Sequence, residues 1–259
     1  MTSVRIVPGD AVAEVVLARP EARNALSVDV CRAIVRALPE VERSGARVLL
    51  VRGEGKVFCS GADFAAVSGP GGLDFLPAFE EMLEAVAAFP LPTVAVIQGG
   101  ALGGGLQLAT ACDFRIAAAD ATLGIPAARI GIVVNFENVQ RLVRLAGVAR
   151  AKEVLMAARA FTGIEAEAAG LVTRAVRGDE LDAAARAFAG ELASLAPKSV
   201  QGAKAAIALV ERALADARST LPAEARLLDR LVEEAYLSAD LQEGLAALSD
   251  RRPPRFTSR

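Results

Sequence analysis

The sequence predicts an α/β fold, with a mostly parallel sheet in the first half of the chain and a helical region at its end. Two observations lead to this prediction. Apolar runs of strand length alternate with segments of helical periodicity over the first half, and after Asn138 the pattern becomes helical and rich in alanine. With 53% apolar residues, the 259-residue chain can build one large domain or a core with an appended helical segment.

The first predicted elements are a β-hairpin and a crossover helix. Alternating apolar runs at residues 4–7 and 11–17 flank a Pro-Gly-Asp turn. Ser27 is a typical N-cap for a helix that places four apolar residues on one face and ends at residues 44–45. The apolar strand 48–51 then completes a β-α-β unit.

A second crossover is predicted after this strand. The loop 53–63 leads to an amphipathic stretch at 75–86 and to an apolar strand at 93–97. The glycine-rich segment 99–108 is predicted to be a turn that opens a buried helix, and another strand follows near 114–117. Strands that alternate with helices indicate a mostly parallel sheet.

The remainder is predicted to be helical, apart from a short strand at 171–175. Ala196-Pro197 breaks one long helix, and further amphipathic helices follow. We therefore predict two parts, a core at 1–196 and a C-terminal helical region at 197–259.

The composition excludes several classes of chemistry. The chain has no histidine, which removes His-based triads, imidazole bases and His-ligated metals together. Its three cysteines are widely spaced and form no Cys-x-x-Cys pair, so no zinc site is expected and the cytoplasm is the simplest location. A net charge of −2 without a basic, aromatic-rich run argues against a nucleic-acid partner.

A membrane span is the main alternative for the uncharged stretch at 85–112, which is long enough to cross a bilayer. Pro90, Pro92, Gln98 and Gln107, together with several glycines, argue against a span. A buried strand, a tight turn and a buried helix explain the stretch better. The N-terminus also lacks the features of a signal peptide.

The glycine triplet 103–105 is the first candidate for a functional site. A helix that begins with glycines after a strand leaves first-turn N–H groups unpaired and open to close approach. The Gly104 N–H could therefore bind an oxyanion, although close helix packing or phosphate binding would explain the glycines equally well. The spacing fits neither a Rossmann fingerprint nor a P-loop. The segment 52–64 would offer further backbone donors, but alone it indicates only a flexible loop.

Five segments occur in an order that is typical of one known family. They are 19–26 (RPEARNAL), 58–63 (FCSGAD), 99–113, 162–172 and 252–256 (RPPRF). Together they resemble the enoyl-CoA hydratase/isomerase (crotonase) superfamily over nearly the whole chain. The first segment resembles its CoA-binding loop, and the second and third resemble its two oxyanion segments.

This resemblance implies a crotonase-like spiral of β-β-α units with a C-terminal helical trimerisation region. The part at 1–196 would bind acyl-CoA, and the part at 197–259 would mediate assembly into homotrimers or dimers of trimers. A coenzyme A thioester would be the substrate or ligand, with no permanently bound cofactor and no metal.

The resemblance also implies a site. The oxyanion hole would be formed by the N–H groups of Ala62 and Gly104. The implied CoA and substrate contacts are Ala22, Arg23, Ala25, Ser60, Asp63, Phe64, Gly103, Pro126 and Ala127. Arg23 could instead be an ordinary solvated charge, and Asp63 is expected to brace its loop rather than act as a base. Walls of the acyl pocket are expected around residues 65–79.

The sequence departs from the family at the acid and base positions. Hydratases of the family use two glutamates, whose positions match Gln107 and Ala127, so ordinary water addition is doubtful. The acid of some isomerases matches Asn135, and the nearby Glu137 is either a shifted base or a surface charge. Two interpretations remain: an enzyme that stabilises a thioester enolate, or a non-catalytic acyl-CoA-binding or carrier protein.

Overall fold

The structure is a computed structural model that describes residues 3–64, 74–216 and 222–256. Its strands are β1 (Val4–Val7), β2 (Val12–Leu17), β3 (Val48–Gly53), β4 (Thr93–Ile97), β5 (Gly100–Leu102), β6 (Phe114–Ala118), β7 (Thr122–Gly124), β8 (Phe161–Thr162) and β9 (Arg174–Val176). Its helices are α1 (Val28–Arg43), α2 (Phe75–Ala88), α3 (Gly104–Ala111), α4 (Phe136–Leu155), α5 (Gly163–Ala168), α6 (Leu181–Ser194), α7 (Pro197–Asp216), α8 (Pro222–Leu237) and α9 (Ala239–Ser249).

The main sheet has six strands in the order β1-β2-β3-β4-β6-β9. Only the β1–β2 hairpin is antiparallel, and the other four pairings are parallel. At the centre of the sheet, residues 48–51 and every residue of β4 are at most 1% exposed. Strands with both faces buried are typical of parallel sheets covered by helices, so the predicted mostly parallel sheet is confirmed.

The chain divides into two compact units. The first contains Met1–Leu123 and Phe161–Ile207, and the second contains Gly124–Ala160 and Ala208–Arg259. The six-stranded sheet belongs to the first unit. The functional division at 196/197 stays a prediction, although the predicted helix break is confirmed, because α6 ends at Ser194 and α7 begins at Pro197.

Helix α1 follows its sequence pattern closely. The Ser27 hydroxyl accepts a hydrogen bond from the Val30 N–H at 3.4 Å, as expected of an N-cap. The helix ends at Arg43, one residue before the predicted stop. Its apolar face is buried and includes Val30, Ile34, Leu38 and Val41. A helical period of apolar residues therefore located this element correctly.

Two predicted elements need correction. The segment after Gly99 is not only a turn, because Gly100–Leu102 forms β5 before α3 begins. The strand predicted at 171–175 lies instead at Arg174–Val176. The N–H groups of Leu171 and Val172 donate to the Ala166 C=O at the end of α5, so these residues finish a helix turn and cannot join the ladder.

Helix α4 begins at Phe136, two residues before the predicted change of pattern, and it is interrupted at Gly147. Gly147 has φ +77° and ψ 165°, which are not helical values.

Within the described ranges, no helix is long and apolar enough to cross a membrane.

Candidate functional site

Two loops lie side by side after strands β2 and β3. The N-terminal loop (residues 19–26) includes a 3-10 turn at Pro20–Ala22, and the β3 loop (residues 54–63) follows β3. The Ser60 N–H donates to the Arg23 C=O at 3.1 Å. The two loops therefore hold each other through their backbones.

Ala62 lies where these loops pair in parallel. The Leu26 N–H donates to the Gly61 C=O, and the Asp63 N–H donates to the Leu26 C=O, both at 2.8 Å. In a parallel bridge of this kind, the residue between the two bonds directs its own N–H to the opposite side. The Ala62 N–H thus points away from Leu26, and it has no acceptor within the part of the chain that the structure describes.

Helix α3 begins at Gly104, directly after the N-cap Gly103. Gly103 has φ +53°, a value that glycine adopts at little cost. Its C=O accepts the Gln107 N–H at 3.2 Å. The Gly104 N–H belongs to the first turn, where helices leave N–H groups unpaired, and no acceptor for it lies among residues 3–64, 74–216 and 222–256.

The two loops and the start of α3 meet at Gly61. A Cβ placed on Gly61 would lie 3.3 Å from the Gly104 nitrogen and 2.7 Å from the Leu102 carbonyl oxygen. Ala62 is the next residue, so both unpaired N–H groups belong to one small region. This juxtaposition of two backbone donors is the central feature of the candidate site.

Glycine is also required at position 105, the second residue of α3. A Cβ on Gly105 would lie 2.3 Å from the Cys59 carbonyl oxygen. The same oxygen accepts the Leu102 N–H at 3.0 Å, and the Cys59 N–H donates to the Gly100 C=O at 3.1 Å. The β3 loop and α3 therefore approach each other backbone to backbone. Close packing, which the sequence left as an alternative for the glycines, is present at Gly105.

The surroundings of Gly104 are apolar. A Cβ at Gly104 would lie 3.2 Å from Cε2 of Phe79 and 3.4 Å from Cδ1 of Leu26. Phe79 is 4% exposed and stacks on Phe75, with ring centroids 5.5 Å apart. Burial raises the pKa of the neighbouring Cys59 thiol to about 12, so this thiol is neutral. An apolar wall strengthens the effect of backbone dipoles on a nearby charge.

Asp63 forms an ion pair with Arg19. The Arg19 Nη2 and Asp63 Oδ2 atoms are 3.0 Å apart, and the side chains are 27% and 19% exposed. Arg19 Nη1 also donates to the Ala25 C=O at 3.1 Å. The ion pair fixes the end of the β3 loop, which agrees with the bracing role predicted for Asp63.

Asn24 is the residue that sequence reasoning missed, although it lies inside the quoted motif. Its side-chain amide is buried and bonds to the backbone of Arg19, Glu54 and Val57. It has φ +55°, and asparagine is enriched in this left-handed region. That preference, next to a turn, is the one local signal for its role.

The other predicted contacts of the first unit lie in these loops or at Phe64 and Gly103. Ala25 is buried, Ala22, Ser60, Phe64 and Gly103 are half-buried, and Arg23 is exposed. Gln107 is half-buried, and its side-chain amide has no hydrogen-bond partner among the described residues. Of the expected pocket walls, residues 65–73 lie outside the described part of the chain.

Four predicted site residues belong to the second unit. Pro126 and Ala127 begin a 3-10 turn, and the Ala127 C=O accepts the N–H groups of Ile130 and Ile132. Asn135 caps α4, because its side chain accepts the Asn138 N–H at 3.2 Å. Glu137 is exposed in the first turn of α4, where the helix dipole stabilises a negative charge.

Comparison with known proteins agrees with this architecture. The profile of the enoyl-CoA hydratase/isomerase family matches residues 8–259. The mitochondrial enoyl-CoA hydratase domain-containing protein 2 of Bos taurus is 37% identical over 259 residues, covering 96% of this chain and 85% of that protein.

Solved structures give the same result. An enoyl-CoA hydratase/carnithine racemase from Magnetospirillum magneticum has a TM-score of 0.78 at 32% identity, with 100% of this chain and 97% of that chain covered. A methylmalonyl-CoA decarboxylase in complex with 2-nitronate-propionyl-CoA has a TM-score of 0.89 at 24% identity, with 99% of each chain covered, which shows the fold alone. The predicted crotonase-like α/β fold with C-terminal helices is confirmed, and the chain belongs to the enoyl-CoA hydratase/isomerase family.

Proposed function

We propose that the protein binds acyl-CoA thioesters and polarises the thioester carbonyl with the N–H groups of Ala62 and Gly104. The close approach of the β3 loop to the start of α3 supports this most directly. A Cβ added to Gly61, next to Ala62, would lie 3.3 Å from the Gly104 nitrogen, and the Ala62 N–H points away from Leu26. Negative charge that develops on a carbonyl oxygen is stabilised by such fixed donors and by the start of a helix. One donor typically contributes about 10²–10³-fold in rate.

Coenzyme A is proposed to lie along the N-terminal loop. Ala22, Arg23 and Ala25 would contact its adenine and phosphates, and the exposed Arg23 guanidinium suits a phosphate. The contacts with the acyl-pantetheine part are assigned to Ser60, Asp63, Phe64, Gly103, Pro126 and Ala127. The thioester is substrate or ligand, and no permanently bound cofactor is proposed.

The proposed chemistry is enolate stabilisation, and ordinary hydration is doubtful. Gln107 and Ala127 stand at the positions that match the two hydratase glutamates, and neither side chain has a proton to exchange near neutral pH. Gln107 would orient substrate or water with its unpaired amide. Glu137 is the proposed base if one is present, while Asn135 already accepts a hydrogen bond from the α4 backbone.

The second candidate function is non-catalytic binding or carriage of acyl-CoA. The neutral Gln107 amide and the apolar Ala127 favour it, because both oxyanion segments are retained without the hydratase acids. A binding protein would keep the affinity for CoA thioesters and lack turnover.

We also propose assembly into homotrimers or dimers of trimers through the region at 197–259. Helix α7 exposes large apolar side chains: Ile207 is 61% exposed, Leu209 59% and Val210 58%. Apolar side chains grouped in this way are typical of interaction surfaces. A cytoplasmic location is proposed because the three cysteines are free thiols.

The experiment that tests the function is a panel of 2-enoyl-, 3-enoyl- and malonyl-type CoA thioesters, with CoA alone and the free acids as controls. Binding is measured by calorimetry, and turnover by chromatography of the CoA products. We expect the thioesters to bind more tightly than CoA alone. Binding without turnover of any substrate would support the carrier function and reject the enzyme. If no thioester binds, both functions are wrong.

The role of Glu137 has its own test. If a substrate is turned over, Glu137→Gln should abolish turnover and leave binding unchanged, because the amide keeps the shape and loses the exchangeable proton. Glu167→Gln is the matched control, since Glu167 is an exposed carboxylate on α5. Equal activity of both variants would exclude Glu137 as the base.

A further inference from the structure

Asn24 joins the N-terminal loop to the β3 loop through a buried amide. The side chain is 1% exposed. Its Oδ1 accepts the Arg19 N–H at 3.0 Å, and its Nδ2 donates to the carbonyl oxygens of Glu54 at 2.9 Å and Val57 at 2.8 Å. Both N–H groups and the oxygen of the amide are thus used by backbone partners.

The backbone at this point is strained. Arg23 has φ +51° and Asn24 has φ +55°, two consecutive left-handed residues without glycine. Asparagine tolerates this conformation, whereas arginine adopts it at a cost, so the surrounding hydrogen bonds must hold it. The strained turn directs the Arg23 C=O to the Ser60 N–H, two residues before Ala62.

A second link lies at the far end of the β3 loop. The Arg19 guanidinium spans the Ala25 C=O and the Asp63 carboxylate, at 3.1 and 3.0 Å. Asn24 holds the start of the β3 loop and Arg19 holds its end, and Ala62 lies between these two links. A shift of the N-terminal loop must therefore move Ala62.

We infer that Asn24 is a positioning residue that couples the N-terminal loop to the Ala62 N–H. This inference rests on the proposed function, because it assigns Asn24 a role in the same oxyanion hole. Sites of this kind need their donors held to within about 0.5 Å of the productive position. Loss of the Asn24 amide should therefore weaken carbonyl polarisation more than it weakens the binding of the nucleotide part.

The test uses a conjugated 2,4-dienoyl-CoA, whose absorption band moves to longer wavelength when its thioester carbonyl is polarised. Asn24→Asp keeps the size and the Oδ1 acceptor, but it turns an acceptor oxygen toward the carbonyls of Glu54 and Val57. The control is Ile34→Ala, which removes a fully buried side chain from α1, outside both loops. The red shift of each variant is measured at saturating probe, after a denaturant titration has shown that the protein is folded.

Asn24→Asp is expected to lose most of the red shift, while Ile34→Ala keeps it in full at a comparable loss of stability. A wild-type red shift that Asn24→Asp retains would overturn the inference alone. A wild-type protein that binds the probe without any shift would overturn the proposed oxyanion hole, and this inference with it.

If Asn24→Asp does not fold, Asn24→Gly replaces it in the test. Glycine adopts the left-handed conformation of this position and removes the three amide hydrogen bonds without placing a charge there. A reduced red shift is expected, and an unchanged shift would overturn the inference.

Discussion

A methyl group on Gly61 would lie 3.3 Å from the amide nitrogen of Gly104, closer than an ordinary van der Waals contact, so these two separate segments leave no free space for a side chain at position 61. Gly61 also has φ +100°, a conformation that side chains disfavour. A side chain at position 61 would therefore crowd the Gly104 nitrogen.

Gly61→Ala should remove carbonyl polarisation, because the new methyl group covers the Gly104 N–H and also meets the Leu102 carbonyl oxygen at 2.7 Å. We expect loss of the dienoyl-CoA red shift and a fall of about 10²-fold or more in any turnover. The free energy of unfolding should fall by about 1–3 kcal/mol because of backbone strain. Absorption spectra, turnover assays and denaturant titrations measure the three effects.

Gly45→Ala is the matched control for Gly61→Ala. Gly45 has φ +83° and no atom within 4 Å of its Cβ position, so the control has backbone strain without a clash. It should lose stability and keep the full red shift. A full red shift in Gly61→Ala as well would show that Gly104 does not polarise the carbonyl.

Gly104→Ala should be destabilising through Phe79. The added methyl group gains up to about 1 kcal/mol of helix propensity, but it lies 3.2 Å from Cε2 of a buried Phe79 ring. We expect a net loss of about 1–2 kcal/mol. Phe79→Leu makes room, so the double variant should be more stable than the sum of the single changes by about 1 kcal/mol. A double-mutant cycle of unfolding free energies measures this, and strict additivity would contradict it.

Local patterns predicted much of the fold. The β-hairpin, the Ser27 cap and α1 depend on residues within a few positions of each other, so periodicity and cap chemistry were sufficient. Strand β5 was missed because it has three residues, which pair with β7 and, through an isolated bridge, with the distant Cys59. Its residues have no pattern of their own, since the partner determines the conformation.

The site was predictable only in part for the same physical reason. Glycines mark where backbones approach closely, so the residues around Gly104 could be found from the sequence. The Asn24 side chain donates to the carbonyl groups of Glu54 and Val57, which are 30 and 33 residues away in the sequence. The Arg115 guanidinium donates to a carbonyl group 56 residues away, that of Leu171. No local spacing indicates such contacts, because the fold alone creates them.

Arg115 is a buried cation of the first unit, and its substitution should be strongly destabilising. It is 5% exposed and donates to the carbonyl oxygens of Leu171, Ala109, Cys112 and Asp113. Burial lowers the pKa of its guanidinium. The bonds to Ala109 and Cys112 cap the C-terminal end of α3, the helix that begins at Gly104.

Arg115→Met removes the guanidinium from all four carbonyl groups, of which Ala109 keeps the Cys112 N–H, and should cost about 2 kcal/mol or more. Arg115→Lys should restore little, because an ammonium group cannot match the fork of a guanidinium. Arg177→Lys is the control on a 71% exposed side chain and should stay within about 0.5 kcal/mol of wild type. Denaturant titration gives all three values, and wild-type stability of Arg115→Lys would contradict the prediction.

Glu243 should make the stability of the C-terminal segment depend on acid pH. Its carboxylate accepts hydrogen bonds from the Arg252 guanidinium at 2.6 and 2.9 Å and from the Arg255 N–H at 2.7 Å. The Arg252 bonds, followed by the Arg255 N–H, lower the pKa of Glu243 from 4.5 to about 2. A carboxylate with a lowered pKa stabilises the fold fully above its ordinary pKa, and the stabilisation is lost as the pH falls to the folded value.

The stability difference between wild type and Glu243→Gln should therefore be constant above pH 4.5 and should shrink as the pH falls toward 2. Unfolding free energies measured over this range, together with the carboxyl carbon shift of Glu243 by NMR, test the expectation. The pKa values of Glu153 and Asp182 are also lowered, by bonds to arginine side chains, and both groups titrate in the two proteins alike, so only the difference between the proteins reports Glu243. A difference that stays constant down to pH 2 would mean that the ion pair with Arg252 does not stabilise the folded chain.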